Sequence, residues 1–112
     1  MIEFNNYGQQ RDLDCTEAER AIYGEILAIY ELAGLDLSPL QLVRKSDKYV
    51  SAVMDSGSDF GAMDVARFKF TDRAKWICIG PGFEKTKINS PDDVADMAEE
   101  LVASYRFNEP YL

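Results

Sequence analysis

Apolar residues between Thr16 and Ala33 recur at helical spacing. Ala18, Ile22, Ile26, Ile29 and Ala33 step by three or four, and Tyr23, Leu27 and Tyr30 widen the stripe, which is the signature of one buried helix face. Thr16 and Glu19 stand at the spacing of a capping box, and Gly34 supplies the left-handed stop. The pattern predicts a helix over 16–33. From Tyr49 the period changes. Tyr49 to Met54, Val65 to Phe70 and Trp76 to Ile79 are short apolar runs separated by turn residues, and they read as an antiparallel meander. Ala66, Phe68 and Phe70 then face one way, Val65, Arg67 and Lys69 the other.

The flanks complete the picture. Leu40, Leu42 and Val43 begin another strand, with a short helix from Ser38 as the competing reading, since Pro39 suits a first helical position. Arg44 to Lys48 reads as the turn into the meander, and Lys85 to Ile88 as a further short strand. Ser90, Pro91, Asp92 and Asp93 open a second helix over 91–107, because the N-cap, the proline and the acids all favour its first turn. Its buried stripe is Val94, Met97, Ala98, Leu101, Val102 and Tyr105. Residues 1–15 form an arm, 40–88 the sheet and 108–112 a tail containing Pro110, Tyr111 and Leu112. The fold class is α+β: helix, antiparallel meander of three to five strands, C-terminal helix, with both helices on one face of a single domain.

Charge sharpens this. The 112 residues carry 20 acidic and 12 basic groups, a net −8 with a pI near 4.4, but the segment from Leu40 to Asn89 holds nine basic and six acidic residues. The sheet region is therefore +3 and the remainder −11. Two candidate surfaces follow. Asp92, Asp96, Glu99 and Glu100 place carboxylates on the exposed side of the last helix, suited to a basic protein partner. Arg67, Lys69, Arg73 and Lys75 gather on or near the sheet, suited to single-stranded nucleic acid or a phosphorylated ligand. The overall charge disfavours direct nucleic-acid binding, and Phe68 and Phe70 point inward; Trp76, in register with Cys78 and Gly80, reads as core, with an exposed stacking ring as the competing reading.

Catalysis finds little support. Histidine is absent, which removes the commonest general base and zinc ligand. Asp55, Asp59 and Asp64 invite a calcium reading, yet an EF-hand loop needs an oxygen ligand where Gly57 stands, glycine where Phe60 stands and Glu where Ala66 stands. Gly80-Pro81-Gly82 lacks the Lys and Ser/Thr of a phosphate-binding loop. No metal, cofactor or enzyme activity is expected. Cys15 and Cys78 read as free thiols of a reducing cytoplasm, and no run is long enough to span a membrane.

The expected function is a non-catalytic acidic interaction module engaging a basic partner, such as a nucleic-acid-processing enzyme. In size, acidity and lack of catalytic residues the chain resembles small phage-encoded inhibitors of bacterial defence nucleases, the DNA-mimic or anti-CRISPR type, a likeness of class with no motif behind it. The alternative is ligand binding on the basic sheet face. An open sheet edge leaves room for a homodimer.

Overall fold

The computed structural model describes the backbone over residues 2–4, 10–12, 15–46, 48–55 and 62–111, and side chains over 15–44, 48–55 and 62–111. Strands β1 (Ile2–Phe4) and β2 (Gln10–Asp12) pair as a small hairpin beside the main sheet. Helix α1 (Glu17–Leu32) follows. The main sheet is a five-stranded antiparallel meander in chain order, β3 (Leu40–Ser46), β4 (Tyr49–Met54), β5 (Met63–Phe70), β6 (Lys75–Ile79) and β7 (Glu84–Lys87). A 3-10 helix, Pro91–Met97, then runs into helix α2 (Ala98–Asn108) and a final 3-10 turn, Glu109–Tyr111.

The capping box of α1 forms as its sequence predicts, and it does more than cap. Glu19, 2% exposed, accepts from the Thr16 amide at 2.8 Å with one oxygen and from the Phe70 amide at 2.9 Å with the other. The Thr16 hydroxyl accepts from the Glu19 amide and donates to the Phe70 carbonyl at 2.8 Å. Helix start and strand end are thus tied in one network, with Arg44 3.9 Å from Glu19. Gly34, at φ 75°, turns the chain away as expected. Ala33 is exposed, so the buried stripe stops one turn earlier than its spacing suggests.

Three expectations need correction. The segment from Arg44 is strand as far as Ser46, with an irregular register between Arg44 and Ser46, where a turn is expected. The last helix winds as 3-10 until Met97. The inward-facing residues explain this: Val94, buried, and Pro91 and Met97, half-buried, are spaced by three, and a three-residue turn stacks them on one row. The Asp93 carboxylate accepts from the Asn89 and Ser90 amides at 2.7 and 3.1 Å. Finally, Asp64 belongs to β5 instead of to the preceding loop; Asp59 and Leu112 lie outside the described residues.

Both helices cover one face of the sheet. Ile22, Ile26 and Tyr30 of α1 and Leu101 and Tyr105 of α2 share one core with Val50, Ala52, Met54, Ala66, Phe68 and Ile77. The helices clasp each other through two tyrosines, whose rings meet edge on at 5.1 Å. Tyr30 donates to the Leu101 carbonyl at 2.8 Å, and Tyr105 to the Asp36 carbonyl at 2.7 Å. Burial, and for Tyr30 the neighbouring Tyr105, raises both phenols above their ordinary range. Both cysteines are free. Among the described residues no helix is long and apolar enough to cross a membrane.

Candidate functional site

The four predicted acids are all exposed, but they do not converge. Glu99 edges a groove of about 560 Å³ between α1 and α2, floored by Ala28, Ile29, Ala98 and Val102, with Glu25 also on its lining. Asp92 shares a 3-10 row with Ala95, which lines the groove, because residues three apart eclipse there. Glu100 instead borders a separate hollow of about 490 Å³ with Met97, Ala103 and the Gly80–Phe83 turn. Leu32 is 90% exposed. Leu32 is itself part of the groove's lining, so its exposure adds apolar surface to that of Ala28, Ile29, Ala98 and Val102.

The opposite face of the sheet is organised by a bulge. Ala52 pairs with Ala66 and Val53 with Asp64, so Val65 is an extra residue in β5. Residues three apart on a regular strand face opposite sides; the added residue brings Asp64 and Arg67 onto the same outer face. Arg67 Nε donates to Asp64 Oδ2 at 2.8 Å. The backbone freed by the bulge is satisfied from two sides. Ser104 of α2 and the Gly80 amide both donate to the Val65 carbonyl, at 3.0 and 2.9 Å, and the Asn108 amide reaches the Asp64 carbonyl at 3.5 Å.

Aromatic rings surround Arg67. Its guanidinium lies 4.0 Å from the centre of the Phe83 ring and 5.9 Å from that of Tyr49. Phe83 has φ 54°, a conformation rare for a side chain this large, and its ring lies where a Cβ on Gly80 would come within 2.6 Å of it. Gly80 therefore leaves the space that Phe83 fills. Tyr49 and Trp76 stand 6.2 Å apart, and Lys85 Nζ sits 4.4 Å over the Trp76 ring. Lys69 and Lys87 are the register partners of Trp76 on either side. Exposed cation–π contacts are worth roughly 0.5–1 kcal/mol each. Partial burial opposes the Arg67 charge, but the hydrogen bond and charge of Asp64 offset this and its pKa rises.

Of the predicted basic set, Arg67 and Lys69 share this face. Lys75 does not: it pairs with Phe70, and its ammonium lies 5.2 Å over that ring on the helix side. Arg73 is exposed in the β5–β6 turn. Trp76 is on the outer face and only partly buried, contrary to its reading as core. Tyr49, Phe83, Lys85 and Lys87 belong to the surface without having been singled out. The signal was the hairpin length, since Thr71 to Ala74 sets Phe70 opposite Lys75 and so Lys69 opposite Trp76.

A third feature is a hollow of about 320 Å³ at the start of α1, lined by Thr16, Glu19, Arg44, Lys48 and Lys69 among others. Burial pushes the Cys78 thiol up, away from the thiolate a nucleophile needs. Among the described residues no three His, Cys, Asp or Glu side chains group as metal ligands. No protein family, curated protein or solved structure matches the chain.

Proposed function

We propose that the protein is a non-catalytic interaction module whose helix layer docks a basic protein partner. The observation that supports this most is the apolar groove between α1 and α2, with Leu32, 90% exposed, and the carboxylates of Glu25 and Glu99 on its lining. An apolar anchor gives contact area, and acidic rims select partners that place Lys or Arg around an apolar residue. The −11 charge of the helices and termini extends that selection to longer range. A nucleic-acid-processing enzyme, whose own substrate channel is basic, is the partner class this charge fits, and the module would inhibit it by covering that channel.

The test is capture from nuclease-treated lysate of the source cell at about 0.1 M and about 0.5 M salt, since screening weakens exposed charge contacts. A basic protein retained at low salt, released at high salt, and held about tenfold more weakly by Leu32→Asp or by Glu25→Lys with Glu99→Lys is the expected result. Undiminished capture by both variants discards the reading.

A further inference from the structure

We infer that the outer face of β5, β6 and β7 binds single-stranded nucleic acid, with Trp76 and Tyr49 as stacking platforms and Lys69, Lys85 and Lys87 as phosphate contacts. This goes beyond the docking reading and uses the other side of the molecule. The combination is what a single-strand groove needs: aromatic faces that any base can cover, set among cations that track the backbone.

Three observations carry it. Trp76 lies between Lys69 and Lys87 in the strand register, so a base on the ring has a lysine on the neighbouring strand at each side. The two rings stand 6.2 Å apart and tilted by 54°, so that two bases on them would be splayed and not stacked on each other. And among the described residues of β5 to β7 the acid on the outer face is already engaged. Asp64 is bound to Arg67, and Glu84, the other acid near β7, pairs with Ile79 and so belongs to the helix side of the sheet. Lys69, Lys85 and Lys87 make no ion pair among the described residues.

Arg67 plays a different part. Fixed by Asp64 and covered by Phe83, it holds the rings in place and is not free to follow a phosphate. Lys85 must leave the Trp76 ring for a base to enter, which an exposed side chain on an edge strand does easily. The acidic helices lie behind the sheet and weaken this field, and salt screening attenuates their effect on the outer face. Stacking on these rings requires unstacked bases, so duplexes are excluded.

Trp76 is the single tryptophan, so its fluorescence reports this face directly. Oligothymidylate and oligouridylate of about ten nucleotides are titrated against the protein. The expected result is saturable quenching, with log affinity falling against log salt at a slope of about −2, as about three phosphate contacts on a single strand give. Lys69→Glu with Lys87→Glu, both at solvent-reaching positions, keeps the reporter and is expected to lose at least about tenfold. Trp76→Ala, followed by anisotropy of a labelled oligonucleotide, is expected to lose about tenfold, and Trp76→Phe much less. Absence of saturable quenching by either oligonucleotide overturns the inference. So does equal binding of duplex DNA or of a polyglutamate peptide, or full affinity in the double lysine variant.

Discussion

The outer face of the sheet and the helix layer handle charge in opposite ways. On the sheet, Arg67 is hydrogen-bonded to Asp64 and stacked against Phe83, while Lys85 lies on Trp76, so cations there are organised by register, bulge and ring. On the helix layer Asp92, Asp96, Glu99 and Glu100 project without ion-pair partners among the described residues. A strand fixes side-chain direction through its neighbours, so a single inserted residue re-aims a whole face. A surface helix leaves its long side chains free. The sheet therefore carries geometry, and the helix layer carries mainly field.

The largest expected disturbance comes where the two sides are joined. Glu19→Ala removes the acceptor of two amides, one of them at the end of β5, and is expected to cost about 3 kcal/mol in denaturant unfolding. Retained stability within about 1 kcal/mol would mean that the Thr16 to Phe70 bond suffices alone. Next is Gly80→Ala, whose methyl would meet the Phe83 ring at 2.6 Å. An overpacking cost of about 1–2 kcal/mol is expected, with altered Trp76 emission as the ring stack shifts.

Alkaline titration separates the buried phenols from everything on the surface. Tyr30 and Tyr105 have raised pKa values in the folded protein, so their contribution is fully present below the unfolded value of about 10 and is lost as pH rises above it. The buried Cys78 thiol acts with the same sign from about pH 8.5 upward. The melting temperature is expected to fall progressively above that point, and Tyr30→Phe to flatten the part of the decline above pH 10. A melting temperature that stays level to about pH 11 would contradict the burial of both phenols. The smallest effect belongs to the helix layer: Glu99→Lys is expected to change stability by no more than about 0.5 kcal/mol, because no described contact depends on it. A larger change would show that its carboxylate is structural.

Much of the architecture was readable from residue spacing. The Thr16–Glu19 box, Gly34 and the alternation of Ala66, Phe68 and Phe70 each act through one or two neighbours in sequence, and each appears as expected. What escaped depends on partners far along the chain. Nothing near Glu19 indicates that its second oxygen serves Phe70. The extra residue at Val65 is visible only against β4, and it decides where Arg67 and Asp64 meet. The period of β6 alone does not say which way Trp76 and Lys75 face; the turn that pairs them with Lys69 and Phe70 sets that. The candidate surfaces are legible in the sequence as charge and, through the competing reading of Trp76 as an exposed ring, in part as aromatic; Tyr49 and Phe83 join only through pairing and turn geometry.

The clasp between the helices also orders events in time. The Tyr30 hydroxyl finds its acceptor 71 residues later at Leu101, and Thr16 and Glu19 find theirs beyond 50 residues later at Phe70. On a chain emerging from the ribosome, α1 appears before the main sheet and has no surface to settle on until β5 has paired, and it is not locked until α2 has been made. Local hairpins of the meander close quickly. The first helix is thus the last to be secured, and its apolar stripe is the part of the nascent protein that stays open longest to other chains.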